Sequence, residues 1–171
     1  GWGVDGLILD DPGPEPALAK EPVDLVTIVD DALALLRHDP DVRRRQVQRV
    51  VTGHPLCLAH RGKLAQVVIN LVHNAALATA AGAAIEVAVR EAAGGVAELT
   101  VTDRGEGMAP AVVARLGEPF FTTRGDRGSG LGVGICRRIV EEHGGALAFS
   151  STLGVGTTAR VTLPGLVGAA A

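Results

Sequence analysis

Hydrophobic residues along the chain follow the spacing of three amphipathic helices. In residues 23–37 and 62–78, apolar side chains recur at intervals of three and four, which places them on one face of a helix. The first helix is expected to end at His38-Asp39-Pro40, because proline lacks the backbone donor that a helix needs. A third helix is predicted from about residue 131 to 143, with Gly144-Gly145 as its C-terminal signal.

Shorter apolar runs between these helices predict six strands. They lie near residues 46–52, 55–59, 84–91, 96–102, 146–151 and 157–163. The strands are grouped in consecutive pairs, and turn residues separate the two strands of each pair. These turns are Gly53-His54-Pro55, Gly94-Gly95 and the turn at Gly154 and Gly156. The order of elements predicts an α+β fold, a two-layer α/β sandwich in which a mixed sheet is covered on one face by three helices.

The remaining segments set the limits of one predicted domain, residues 23–164. Residues 1–22 are expected to be a linker or lead-in segment, since residues 10–22 contain four prolines, and residues 165–171 form a short tail. Residues 103–130 are rich in glycine and show no clear periodicity. Because a loop longer than about 12–15 residues inside a compact domain usually carries function, the site is expected there.

Composition excludes some functions. The 171 residues include 16 Lys and Arg against 19 Asp and Glu, a net charge of −3 that gives no electrostatic case for nucleic-acid binding. No apolar stretch reaches the roughly 18 residues needed to span a bilayer, so we expect no membrane contact by this fragment. Cys57 and Cys136 lie in apolar runs as reduced thiols would, which fits a cytoplasmic location, although the full-length protein could be membrane-anchored.

Two asparagines mark the polar side of the second predicted helix. Asn70 and Asn74 are four residues apart and point the same way, with Gln66 a turn earlier and His73 beside them. A carboxamide oxygen is a neutral ligand that suits Mg²⁺ and leaves the charge of the metal to offset phosphates. The alternative is that Asn74 hydrogen-bonds a neighbouring loop.

A carboxylate followed by alternate glycines comes directly after the apolar strand AELTVT. These residues are Asp103-Arg104-Gly105-Glu106-Gly107. The missing glycine side chains let a planar ring approach the backbone. An ionised Asp only accepts hydrogen bonds, so it would select an exocyclic amine such as that of adenine. An Asx turn at the end of the strand is the alternative interpretation.

A second glycine cluster, Gly128-Ser129-Gly130-Leu131-Gly132, leads into the third predicted helix. Backbone amides at a helix N-terminus are unsatisfied donors that bind phosphates. The spacing matches neither the Walker loop nor the dinucleotide fingerprint. Upstream, Phe120 and Phe121 are expected to anchor a lid over the domain, and ordinary core residues in a loop are the alternative.

Five segments, in this order, resemble the N, G1, F and G2 boxes and the terminal glycine-threonine element of sensor histidine kinases. They are NLVHNA at 70–75, DRGEG at 103–107, EPFFTTR at 118–124, GSGLGVGICRRIVEEHGG at 128–145 and GVGTT at 154–158. The resemblance covers roughly residues 23–164. It implies the Bergerat-type ATP-binding fold of the gyrase, Hsp90, histidine kinase and MutL superfamily, with ATP and Mg²⁺ as cofactors.

The resemblance also implies a role for each matching residue. Asn74 would coordinate Mg²⁺ with Asn70 assisting at the phosphates, and Asp103 would receive the adenine amine. Gly105 and Gly107 would shape the pocket. The remaining site residues would be Thr157 near the base and, in the lid and its glycine hinge, Phe120, Thr123, Arg124, Gly128, Ser129, Gly130, Leu131 and Gly132.

One substitution distinguishes reactions within that superfamily. Its ATPases carry a Glu as general base for water one turn before the metal-binding Asn, and here that position is Asn70. An amide cannot take a proton at neutral pH, so hydrolysis should be slow. The γ-phosphoryl group would go instead to a neutral imidazole, with Asn70, Asn74 and Arg124 as the catalytic set and Arg127 as a further lid cation.

The acceptor histidine is expected on a different segment. None of the five histidines lies in the H-E-x-x-N-P pattern of a kinase hairpin, and His38 and His143 are expected to be structural. The implied partners are a helical dimerisation and phosphoacceptor domain of the same full-length protein and a response regulator receiver domain. Two alternatives stay open: a nucleotide-sensing module with little chemistry, and a protein-serine kinase of the anti-sigma-factor type.

Overall fold

The structure of the protein is a computed structural model that describes residues 19–116 and 132–166. Its strands are β1 (Glu21–Asp24), β2 (Gln46–Thr52), β3 (Leu56–Ala59), β4 (Ala84–Glu91), β5 (Ala97–Asp103), β6 (Ala146–Thr152) and β7 (Gly156–Leu163). Its α-helices are α1 (Leu25–Leu36), α2 (Arg61–Leu77), α3 (Pro110–Arg115) and α4 (Gly132–Glu142). Short 3₁₀ turns lie at Val42–Arg44 and Ala93–Gly95.

Five strands form one mixed sheet in the order β2-β4-β5-β7-β6. The β2 and β4 strands are parallel, whereas the other neighbours are antiparallel. The α1, α2 and α4 helices cover one face of this sheet, which confirms the predicted α+β sandwich. No helix in the described ranges is both long enough and apolar enough to cross a bilayer.

Alternation along the strands separates the core from the outer face of the sheet. In β4, Ile85, Val87 and Val89 are buried against the helices, and the residues between them are more exposed. The outer face is polar, and its most buried group is Glu98, which accepts hydrogen bonds from the Nε atoms of Arg90 and, at 2.8 Å, Arg160. Because apolar and polar side chains alternate along the strands, one face of the sheet is apolar, and the helices pack on that face.

A second, two-stranded sheet was not predicted. The β1 strand pairs antiparallel with β3, so the two strands beside Gly53 belong to different sheets. The β1 strand lies partly inside the segment expected to be a linker, and four residues that include Pro22 show no readable alternation. The first helix begins at Leu25 rather than Val23, because Asp24 caps it by accepting the N–H of Val26 at 2.8 Å.

Within the predicted loop 103–130, the described part, residues 103–116, contains one short helix. The α3 helix begins with Pro110, a favoured residue in the first turn, and its six residues are too few to show a period. The third predicted helix, 131–143, corresponds to α4, which spans Gly132–Glu142. The Gly94-Gly95 turn is confirmed, with φ values of 76° and 80°.

Candidate nucleotide-binding site

The candidate site lies where β5 ends between its two neighbours. Asp103 is the last residue of β5, opposite Ile85 of β4 and Thr157 of β7. Its side chain is held in the interior, with 6% of the residue exposed. A carboxylate in this position is shielded from water on the sheet side and is oriented by two paired strands.

The carboxylate is held in place by the backbone that follows it. Asp103 Oδ1 accepts the N–H of Gly105 at 2.8 Å, which is the Asx-type contact left open as the alternative interpretation. The same side chain also lines a cavity. A structural hydrogen bond and exposure to a pocket therefore occur together at Asp103, so the two interpretations are compatible.

The glycines after Asp103 are needed for close backbone approaches within the protein. A Cβ on Gly105 would lie 2.0 Å from the carbonyl oxygen of Ala78, and one on Gly107 would lie 2.0 Å from that of Thr152. Gly107 also has a φ of 71°. The loop is therefore wedged between the end of α2 and the β6–β7 hairpin, and side chains at these two positions would displace it.

The cavity combines three polar side chains with apolar walls. The polar groups are Asn74 on α2, Asp103 on β5 and Thr157 on β7. The cavity has a volume of about 50 Å³, below the roughly 300 Å³ or more of a typical ligand pocket, so a bound small molecule would have to widen it. Its few convergent polar groups among apolar walls are nevertheless typical of a small-molecule site. The described apolar walls are Leu71, Ala75, Ala78, Val101, Met108, Leu116, Val133, Phe149 and Ala159.

A hydroxyl network at the β6–β7 hairpin positions Thr157. The Oγ1 of Thr157 lies 2.8 Å from the Oγ of Ser151, and Ser151 also accepts the N–H of Met108 at 2.8 Å. Ser151 was not among the predicted site residues. Gly156 was predicted as a turn residue and belongs to the GVGTT segment, and a Cβ there would lie 2.1 Å from the carbonyl oxygen of Asp103. Gly156 thus approaches the strand that carries the carboxylate, and Ser151 joins the hairpin to the loop that follows this strand.

Asn70 contacts a different part of the domain from Asn74. Its Nδ2 donates to the Sγ of Cys136 on α4 at 3.6 Å. Burial raises the pKa of the Cys136 thiol, and the hydrogen bond from Asn70 acts in the opposite direction. Asn70 thus links α2 to α4, the helix that begins at Gly132, the last residue of the predicted glycine cluster.

His73 turns away from its sequence neighbour Asn74. Its Nε2 lies 3.3 Å from Oδ2 of Asp41 and 3.7 Å from Oδ2 of Asp39. Asp39 in turn accepts the N–H groups of Asp41 and Val42 through Oδ1. His73 therefore joins α2 to the turn after α1, a contact between distant segments that spacing on one helix could not indicate.

The structural role expected for His143 is supported by two hydrogen bonds. Its Nδ1 donates to the carbonyl oxygen of Ile139 at 2.7 Å, and its Nε2 accepts the N–H of His60 at 3.0 Å. Burial lowers its pKa most, and the nearby cation of Lys20 acts in the same direction. The neutral ring therefore joins the end of α4 to the start of α2.

Several predicted site residues lie outside the described ranges. They are Phe120, Thr123, Arg124, Gly128, Ser129, Gly130 and Leu131, together with Phe121 and Arg127.

Comparison with known proteins identifies the family. The model described as "Histidine kinase-, DNA gyrase B-, and HSP90-like ATPase" matches residues 59–166, more than half of the chain. Sporulation kinase E of Bacillus subtilis (strain 168) is 33% identical over 149 residues, covering 86% of this chain and 20% of that protein. The solved structure of the mycobacterial sensor histidine kinase MprB matches with a TM-score of 0.75 at 32% identity, covering 85% of this chain and 97% of that one. Full-length ShkA in complex with AMPPNP also matches with a TM-score of 0.75, at 29% identity over 86% of this chain and 31% of that one.

The chain therefore belongs to the family of histidine kinase-, DNA gyrase B- and HSP90-like ATPases. Within that family it is a catalytic domain of the sensor histidine kinase type, which confirms the resemblance found in the sequence. The chain spans 20% of the length of sporulation kinase E.

Proposed function

We propose that this domain binds Mg-ATP and transfers the γ-phosphoryl group to a histidine on a separate helical element, in two-component signal transduction. The observation that carries the proposal is the convergence of Asn74, Asp103 and Thr157 from three elements on one apolar-walled cavity. The likeness to a kinase solved with AMPPNP supports an adenine nucleotide as the ligand.

The residues around Asp103 fit an adenine base. An ionised carboxylate accepts a hydrogen bond from an exocyclic amine and disfavours a carbonyl at the same place. Val101 and Ala159, which are paired across β5 and β7, supply an apolar wall for one face of the ring, and Thr157 supplies a hydroxyl on the neighbouring strand. Oδ1 of Asp103 is oriented by Gly105, so the carboxylate is held before any ligand arrives.

The donor set around Asn74 fits a magnesium ion that is held mostly by phosphates. Mg²⁺ takes oxygen ligands and usually keeps one or two from the protein, so a single amide oxygen at the cavity is sufficient. Asn74 lies on α2 and lines the same cavity as the strand residues Asp103 and Thr157. We infer that Asn74 holds the metal and that Asn70, a turn earlier, assists at the phosphates.

Phosphoryl transfer requires alignment and charge neutralisation more than covalent chemistry. Bound ATP supplies the transferred group. The chain orients the base through Asp103 and the metal through Asn74, and we propose that Arg124 neutralises the phosphates. Asn70 stands where a general base would activate water, and an amide cannot accept that proton, so slow hydrolysis preserves the phosphoryl group for transfer.

The proposed partners are a helical dimerisation and phosphoacceptor domain of the same full-length protein and a response regulator receiver domain. The support is that the relatives are much longer than this chain, which covers 20% of one and 31% of the sensor histidine kinase ZraS of Escherichia coli (strain K12). We place the reaction in the cytoplasm, a reducing compartment that suits the buried free thiols of Cys57 and Cys136.

The test is phosphoryl transfer in trans. The chain is incubated with Mg²⁺, γ-labelled ATP and a helical hairpin that carries H-E-x-x-N-P, with the His→Gln hairpin and the Asp103→Asn variant as controls. The expected product is acid-labile, alkali-stable phosphohistidine on the first hairpin alone. Nucleotide binding by calorimetry without transfer to any competent hairpin would favour a sensing module, and alkali-labile phosphoprotein would indicate a serine kinase.

A further inference from the structure

A groove on the side of the domain away from the candidate nucleotide site has an apolar floor and a basic rim. It lies between α1, the turn that follows it and β2, and has a volume of about 630 Å³. Its floor includes Leu36 and Val42, which are 4% exposed, and the half-buried Leu33 and Val47, which pack against the core. The floor is thus a part of the hydrophobic core that remains reachable from outside.

Four arginines line this groove, and two of them are held by the protein itself. Arg49 on β2 forms an ion pair with Asp30 on α1, and this pair bridges the groove. The Nε atom of Arg49 lies 2.6 Å from Oδ1 of Asp30, and its Nη2 atom lies 3.1 Å from Oδ2. Arg45 donates to the carbonyl oxygens of Asp41, at 2.9 Å, and Thr79. These two side chains shape the groove, and their donors are directed at internal acceptors.

The other two arginines, Arg37 and Arg43, are exposed at the rim. In the ranges 19–116 and 132–166, neither guanidinium group takes part in an ion pair or a hydrogen bond. Each guanidinium presents five N–H donors in a planar fork that matches a carboxylate. The net charge of the chain is −3, so this basic rim is a local exception rather than part of a general excess of positive charge.

Among the described strands, the one beside the groove lies at the edge of the sheet. The β2 strand is the last in the sheet order and pairs only with β4 among the described strands. An edge strand offers backbone N–H and C=O groups to an added extended segment, and side chains of that segment then give specificity. The groove therefore combines backbone partners along β2, an apolar floor, and two rim cations, Arg37 and Arg43, that are unpaired among the described residues.

We propose that this groove binds an extended, acidic segment of a partner protein, which pairs with the edge of β2. Aliphatic side chains of the segment cover Val42 and Val47, and its carboxylates bind Arg37 and Arg43. The charge of the rim selects an acidic partner over a basic one. This interaction is separate from nucleotide binding, and the proposal does not depend on the function proposed above.

The test uses the full chain and a fluorescent nine-residue peptide of alternating leucine and glutamate, with a lysine-for-glutamate peptide as comparison. Fluorescence anisotropy should show saturable, salt-sensitive binding of the acidic peptide only. The double variant Arg37→Glu/Arg43→Glu should weaken binding at least about tenfold, because two attractive contacts become repulsive. Arg44→Glu is the matched control, since Arg44 is exposed on the same short turn but does not line the groove.

Amide hydrogen exchange gives the second readout, since strand pairing should slow exchange within residues 46–52 when the acidic peptide is bound. Thermal melts confirm that each variant is folded. The proposal is overturned if both peptides bind equally well, or if the double variant and Arg44→Glu lose the same amount of affinity for the acidic peptide. It is also overturned if the acidic peptide binds without slowing amide exchange in β2. Dimerisation of the wild type that the double variant abolishes would overturn it as well, because a second copy would then occupy the groove.

Discussion

The substitution Asp103→Asn separates the structural role of this side chain from its proposed role in base recognition. In the wild type, Oδ1 accepts the N–H of Gly105 at 2.8 Å, and an asparagine carbonyl oxygen can accept the same hydrogen bond. The other carboxylate oxygen becomes an NH₂ donor. If the amide were flipped, its NH₂ group would face the N–H of Gly105, and two donors cannot form a hydrogen bond. The contact with Gly105 therefore fixes the orientation of the asparagine side chain.

The magnitude follows from the burial of Asp103. Only 6% of the residue is exposed, so water replaces a lost contact poorly. A hydrogen bond with one charged partner contributes about 1.5–3 kcal/mol, which corresponds to a roughly 10- to 150-fold weaker Kd for ATP. Inosine triphosphate carries a carbonyl oxygen in place of the adenine amine. The wild type should therefore prefer ATP, whereas the variant should lose or reverse that preference.

The assay is isothermal titration calorimetry with Mg-ATP and with Mg-inosine triphosphate, and thermal melts report folding. Glu106→Gln is the matched control, because it removes the same charge from an exposed position on the loop directly after Asp103. Its ATP preference should equal that of the wild type. If Asp103→Asn is folded and keeps the wild-type ratio of the two affinities, Asp103 does not recognise the base.

Three further tests examine the site and the residues that support it. Asn74→Ala should remove most of the Mg²⁺ dependence of ATP binding in calorimetry, and a wild-type response to magnesium would reject Asn74 as the ligand. Gly105→Ala should destabilise the fold by at least about 1–3 kcal/mol in urea melts, because its Cβ would lie 2.0 Å from the carbonyl oxygen of Ala78. Gly62→Ala, whose Cβ would meet no atom closer than 3.6 Å, should be neutral or stabilising; equal losses in both variants would contradict this account. Burial lowers the pKa of His143, so the unfolded chain binds that proton more readily, and stability should fall as the pH drops below about 6.5. His143→Gln should reduce that decline, and an unchanged pH profile would show that other groups cause it.

The elements whose hydrophobic pattern continues over many residues could be predicted from the sequence. The 17 residues of α2 show a full apolar face, and the alternation in β4 and β5 directs one face of the sheet to the core. The β1 strand and α3 escaped prediction because four and six residues are too short to establish a period. The pairing of β1 with β3 joins distant segments, and local turn chemistry at Gly53 gives no information about it.

The site residues divide in the same way. Some could be predicted from local sequence, and others depend on contacts between distant segments. Asp103 and Asn74 could be chosen by side-chain chemistry and spacing, and the structure places both at one cavity. Asn70 has the same spacing, yet its amide contacts Cys136, because only the packing of α4 decides what lies beside that turn of α2. Ser151 was missed because its role depends on the close approach of Met108, in the loop after β5, to the β6–β7 hairpin.

The central claim is that an adenine nucleotide occupies the cavity formed by Asn74, Asp103 and Thr157. A crystal structure of the chain grown with Mg²⁺ and a nonhydrolysable ATP analogue tests it most directly. The account predicts density for the adenine amine within hydrogen-bond distance of Asp103 and for a metal ion at the Asn74 amide oxygen. A cavity filled by the protein's own side chains, or a nucleotide bound elsewhere, would contradict it.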